Sequence, residues 1–214
     1  MLTVLQADQY FSHETQFGRL VFEVGNLRLG DFRGDARKTG KEELLAELDF
    51  EREAVQYFYS RQRRQLGLGH AVLCARPLVG EKPFVVALGD SLIGFHNQSD
   101  ICRRMIEQFE SSGADAVIAF QEVPASEVIH YGIAKPRSHA DEVFELDDLI
   151  EKPNVDDAPS NLAVAARYVC RPTIFEAIDK TTPGKGGEIQ LTDAFRLLLQ
   201  GGGKILGMRL RSHE

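Results

Sequence analysis

Gln62, Gly67, Asp90, Glu151 and Lys152 are the residues whose types and positions could do chemistry. Asp90 closes the run PFVVALGD, at the carboxyl end of what reads as a buried strand. That is the edge at which open α/β sheets bind ligands. A carboxylate there can hold Mg²⁺, which takes oxygen ligands and bridges to phosphates. Taken alone, the residue reads first as the N-cap of the next helix. Glu151 and Lys152 are adjacent in LIEKP. A lysine at a sugar-phosphate site neutralises charge as a point cation, and a glutamate accepts bonds from hydroxyls. The plainer reading is an exposed ion pair in a turn before Pro153. Gly67 and Gly69 break the polar run RQRRQLGLGHAV between a strand-like segment at 54–59 and an apolar helical one at 70–79. A strand, a glycine turn and a helix N-terminus in succession offer free backbone N–H groups to a nucleotide or phosphate. A lone glycine pair is more often a turn that needs positive φ. Gln62 carries one acceptor and a pair of donors, enough to read a base edge, although an isolated glutamine near a turn is commonly surface filler. His70 reads as a helix-start residue rather than a general base.

These groups need elements to position them. The apolar run at 83–89 reads as a buried parallel strand, 114–123 as another buried strand, 54–60 as a strand by alternation, and 101–111 as a helix. Strands separated by helical patterns argue for an open α/β sheet with right-handed crossovers. Beyond residue 124 the pattern changes. Segments 131–135 and 143–149 read as a hairpin or flap beside the main sheet, and 161–170 as a strand with nearly continuous apolar residues. Short helices are expected at 172–179 and 191–200, joined by the TTPGKGGE loop, and a last strand at 204–210. Toward the start, 19–24 is strand-like and 36–53 reads as a charged amphipathic helix with Leu44, Leu45 and Leu48 on one stripe.

A chain of 214 residues with 43% hydrophobic content can build one sizeable core, and nothing requires two. The net charge of −7 argues against a nucleic-acid partner, since a phosphate-tracking face needs clustered Lys and Arg. The basic cluster is confined to Arg61, Arg63 and Arg64. Cys74, Cys102 and Cys170 lie far apart without CxxC spacing and read as buried thiols of a reducing compartment. No apolar run approaches the length of a membrane span, and MLTVLQADQYFSHE lacks the build of a secretory signal. The expectation is a soluble, cytoplasmic protein without a membrane partner.

The motifs occur in a particular order: RQ and GLGHAV, then LGDSL at 88–92, HYGI at 130–133, LIEKP at 149–153 and GGEIQLTD at 186–193. With them the chain resembles the bacterial UTP-glucose-1-phosphate uridylyltransferases, or UDP-glucose pyrophosphorylases, over roughly residues 36–211. The resemblance implies a Rossmann-like open mixed sheet flanked by helices, of the nucleotide-diphospho-sugar transferase type. It implies a nucleotidyltransferase-like domain at 36–214, with 1–35 an unassigned N-terminal segment. The implied reaction transfers UMP from UTP to glucose 1-phosphate, giving UDP-glucose and pyrophosphate, with Mg²⁺ as cofactor. It assigns Asp90 to the metal, Lys152 to the phosphate, Glu151 and Gly132 to the hexose, Gln62 to the uracil edge, and Gly67 to close approach of the base. Ser91 stands where a second acidic residue is common, and Glu188 is a weaker sugar-side or loop-ordering candidate. The family also carries a first strand with a GxGTR-type loop, and a further aspartate after the last strand. GNLRLGDFRGD does not match that loop, and the match stops at GMRLR. The expected fold is therefore incomplete and marginal or partly open, unless segment 19–24 fills the central first-strand slot. A non-catalytic nucleotide-sugar-binding protein and a truncated remnant are the alternative readings, and a homo-oligomer is left open.

Overall fold

The computed structural model describes residues 2–5, 20–24, 56–94, 99–138 and 141–214. Among these the strands are β1 (Leu2–Leu5), β2 (Leu20–Val24), β3 (Gln56–Tyr59), β4 (Phe84–Leu88), β5 (Ala116–Glu122), β6 (Gly132–Pro136), β7 (Val143–Glu151), β8 (Leu162–Cys170) and β9 (Ile205–Arg209). The helices are α1 (Leu68–Leu73), α2 (Arg76–Val79), α3 (Ile101–Ser112), α4 (Thr173–Lys180) and α5 (Leu191–Gln200). All described strands join one mixed sheet in the order β3-β2-β1-β4-β8-β5-β9-β7-β6, and β6 also pairs with β8 through Ile133 and Ala163.

Helices cover both faces, so the central strands bury both sets of alternating side chains. On one face Phe84, Val86, Ile118, Phe120 and Tyr168 pack with α1, α2, α4 and α5. There Phe84 stacks on Phe175 at 5.0 Å and Tyr168 on Phe195 at 5.7 Å between ring centroids. On the other face Val85, Val117, Ala119 and Val169 pack with α3. That helix presents Ile101, Met105, Ile106 and Phe109, the spacing of a single helical stripe, and ends at Gly113 in the left-handed conformation.

Several expectations change here. Continuous burial in β4 comes from its two covered faces and not from parallel pairing, because both its neighbours, β1 and β8, are antiparallel. The parallel pairs are β5 with β9 and β2 with β3. The hairpin β6–β7 is not a flap beside the sheet. It belongs to it, through β7 on β9 and β6 on β8. The slot beside β4 is taken by Leu2–Leu5, with Leu20–Val24 one place further out, so β4 has a partner on each side. The helical segment at 70–79 divides into α1 and α2, the second carrying Pro77 in its first turn. Of the thiols, Cys170 is buried, whereas Cys74 and Cys102 are partly exposed. The helix expected at 36–53 lies outside the described residues.

Candidate functional site

A cleft of about 500 Å³ opens where β4 and β7 end and β6 and α5 begin, with the middle of β8 as its floor. This is the size of a small-molecule site, on the order of 300–1,000 Å³. Asp90, Gly132, Glu151 and Lys152 all line it. They come from separate segments of the chain that the sheet brings together.

β7 supplies the acidic side. Its last residue, Glu151, stands in register opposite Gly132 on β6. A Cβ at Gly132 would lie 3.1 Å from Thr192 Oγ1 and 3.3 Å from Glu151 Oε2. The glycine therefore leaves room that the carboxylate and the hydroxyl use. Lys152, the first residue past the strand, has φ 45 and donates its backbone N–H to Tyr131 O at 2.9 Å. A left-handed lysine costs on the order of 1 kcal/mol. Its ammonium is exposed, with Nζ 3.7 Å from Glu151 Oε1.

Asp90 lies in the turn after β4, closed by a bond from Ser91 N to Leu88 O at 3.4 Å. The next helix, α3, starts at Ile101 behind Asp100, so Asp90 is not a helix cap. Asp90 is exposed and lines the cleft. Among the described residues no group of three or more His, Cys, Asp or Glu could hold a metal ion. Two carboxylates, Asp90 and Glu151, line the cleft; Asp90 alone would suit Mg²⁺ in its usual manner, with water and substrate phosphate oxygens completing the shell.

Gln62 and Gly67 do not line the cleft. Gln62 Nε2 donates to Gly67 O at 3.1 Å and lies 2.8 Å from His70 Nδ1, which closes the turn into α1. Gly67 has φ 91, and a Cβ there would come within 2.6 Å of Ile189 O. Bonds from Gly69 N to Ile189 O (2.8 Å) and from Ile189 N to Leu66 O (2.7 Å) tie this turn to the GGEIQLTD segment. The turn reaches the cleft through Leu68. Glu188 is exposed outside the lining, where its Oε2 accepts a bond from Gln190 Nε2 at 2.8 Å.

Tyr168 and Thr192 also line the cleft, and sequence reasoning did not single them out. Thr192 sat inside a motif already noted. Tyr168 was hidden in an apolar strand where an aromatic reads as core. Burial pushes the Tyr168 phenol far above its ordinary range, and the charges of Glu151 and Asp90 push the same way. The phenol therefore stays protonated, a neutral donor beside two carboxylates.

The family model for nucleotidyl transferases matches residues 34–212. The UTP–glucose-1-phosphate uridylyltransferase of Pseudomonas aeruginosa is 39% identical over 166 residues, 78% of this chain and 59% of that protein. UTP–glucose-1-phosphate uridylyltransferase 2 of Staphylococcus saprophyticus is 40% identical over 162 residues, 76% of this chain and 55% of that protein. The chain thus spans between half and three fifths of the curated relatives it matches. Among solved structures, UDP-glucose pyrophosphorylase complexed with UDP-glucose superposes with a TM-score of 0.73 at 37% identity, covering 80% of this chain and 64% of that one. UTP-bound UGPase from Acinetobacter baumannii does so with a TM-score of 0.70 at 36% identity, over 86% of this chain and 64% of its own. The motif order, the mixed sheet and these matches agree, and the chain belongs to the nucleotidyl transferase family.

Proposed function

We propose that the chain is a UTP-glucose-1-phosphate uridylyltransferase, in which an oxygen of glucose 1-phosphate attacks the α-phosphorus of UTP and pyrophosphate leaves. The observation that carries this reading is the convergence of Asp90, Gly132, Glu151 and Lys152 on one cleft. Glu151 accepts bonds from hexose hydroxyls, and Gly132 leaves the space in which the sugar meets that carboxylate. Lys152 offsets phosphate charge as a point cation, and its strained backbone fixes where the side chain leaves the strand. Tyr168 adds a donor that does not ionise at neutral pH. Mg²⁺, held by Asp90 with phosphate oxygens and water, would supply the remaining charge neutralisation. Catalysis on this reading is positioning and electrostatics, with no covalent intermediate and no general base. Gln62, with Gly67 beside it, keeps the uracil-reading role as part of the proposal, exercised from the turn that leads to Leu68. The acidic balance supports an enzyme without a nucleic-acid partner, and three widely spaced cysteines without CxxC spacing suit a reducing cytoplasm; no helix among the described residues is long and apolar enough to cross a membrane.

A second reading has its own support. Among the described residues that line the cleft, Lys152 is the single Lys or Arg. That is little charge for a triphosphate, and it favours a chain that holds a nucleotide sugar without turning it over. Melting the chain with UDP-glucose and Mg²⁺ tests the binding that both readings share. Ligand at about 100 times its Kd adds about 2.7 kcal/mol to the folded state, a shift of several degrees. Asp90→Asn should lose the metal-dependent part. A parent chain with no shift overturns both readings. Pyrophosphate release from UTP and glucose 1-phosphate then separates enzyme from binder.

A further inference from the structure

β8 is irregular where it passes the cleft. Between the pairs Ile118–Tyr168 and Phe120–Val164, β5 holds Ala119 alone while β8 holds Ala165, Ala166 and Arg167. A bulge of this kind re-aims side chains and is common beside functional sites. It is held at a cost: Ala166 has φ 55, where an L side chain is strained. What the distortion delivers is Arg167. Its Nη1 donates to Ala166 O at 3.0 Å and to Leu88 O at 3.2 Å, and its Nη2 donates to Ser91 O at 2.8 Å. Leu88 and Ser91 are the two ends of the turn that carries Asp90. The bonds of the guanidinium go to backbone carbonyls of the turn and not to the Asp90 carboxylate. A planar fork with several fixed donors can span two carbonyls in this way, whereas an ammonium reaches one at a time.

We propose that Arg167 is a positioning residue for Asp90, clamping both ends of the Leu88–Ser91 turn and so fixing where that carboxylate stands in the cleft. The inference rests on the reading above, in which Asp90 serves a divalent cation.

Arg167→Met, Arg167→Lys and Asp90→Asn, made in the whole chain, test it with two readouts. The first is amide hydrogen exchange without ligand. In Arg167→Met the Ser91 amide should exchange about tenfold faster while β5 and β9 keep the parent's rates, and Arg167→Lys should fall between. The second is Mn²⁺ binding followed by electron paramagnetic resonance in the presence of UDP-glucose. Arg167→Met should weaken Mn²⁺ by about tenfold, as loss of an outer-shell partner does, with Arg167→Lys restoring part of it. An unchanged Ser91 amide overturns the inference. So does faster exchange spread evenly over the sheet, which would mark a merely structural arginine. If Asp90→Asn loses Mn²⁺ but Arg167→Met binds it like the parent, the positioning role falls and the functional reading stands. If parent and Asp90→Asn bind Mn²⁺ alike, the reading of Asp90 falls and takes the inference with it.

Discussion

Glu151 and Lys152 are neighbours in sequence, yet the structure gives them opposite conformational circumstances. Glu151 ends a regular strand, whereas Lys152 sits at φ 45. The strained position is one where glycine would be more comfortable, so Lys152→Gly should melt no lower than the parent, with a relief of up to about 1 kcal/mol. It should at the same time bind UDP-glucose at least about tenfold more weakly, a loss of about 1.4 kcal/mol. Calorimetric melting and titration together check that opposition. Gly132 makes the complementary case. Its backbone needs no glycine, but its Cβ would press on Thr192 and Glu151 at 3.1 and 3.3 Å. Gly132→Ala should therefore fold with little change, within about 1 kcal/mol, and lose UDP-glucose affinity by about tenfold in the same titration. The types of these residues and their motifs were legible in the sequence. That Gly132 faces Glu151 across a strand pair was not, because register is set by pairing between segments far apart in the chain.

Among the elements, the turn into α1 and the segment leading into α5 behave as one unit. Backbone bonds between Leu66, Gly69 and Ile189 join them, and Gln62 closes the turn from within. A Cβ at Gly67 would meet backbone, Ile189 O at 2.6 Å, in addition to the cost of φ 91. Gly80 has a comparable positive φ of 62 with nothing within 4 Å. Gly67→Ala should accordingly lower the melting temperature by several degrees more than Gly80→Ala, since each kcal/mol is worth about 2–4 °C in a domain of this size. Equal shifts would show that the φ alone matters and that the contact with Ile189 is relaxed. Sequence reasoning recognised both motifs, GLGH and GGEIQLTD, but had no means of placing one against the other. Periodicity located most described strands and helices to within a few residues. It missed the direction of β4, because an apolar run reports burial on both faces, and either parallel or antiparallel neighbours can produce that.

Over the whole molecule, the start of α3, the connection before β7 and the residues after β9 are held by a charge cluster. Arg104 bonds Asp100 Oδ1, Glu142 Oε1 and Glu214 Oε2, and the Glu214 side chain is only 1% exposed. The hydrogen bond from Arg104 holds Asp100 below its ordinary range, with burial opposing and nearby arginine charges adding to it. For Glu214 burial pushes upward, but bonds from Arg104, Ser99 and the Arg211 backbone outweigh it and the net shift is down. Carboxyls depressed in the folded state contribute stability above their unfolded values, near pH 4, and lose it as pH falls through the folded ones. Unfolding free energy should thus decline below about pH 4. Arg104→Met, which takes the cation from the buried Glu214 carboxylate and leaves it the bonds from Ser99 and the Arg211 backbone, should be destabilised by up to about 3 kcal/mol at neutral pH, with the gap to the parent narrowing in acid. Denaturant titrations across that range check both slope and sign. By itself the sequence determined the alternating strand–helix architecture and the family, and it marked Asp90, Glu151 and Lys152 as candidates, because periodicity and short motifs are local properties of the chain. Only the tertiary structure decided that Leu2–Leu5 rather than 19–24 lies beside β4, that the β6–β7 hairpin belongs to the sheet, and that Tyr168 and Arg167 meet the cleft and the Asp90 turn. Those outcomes depend on strand order, register and a bulge, which are fixed by contacts between segments that local pattern does not encode.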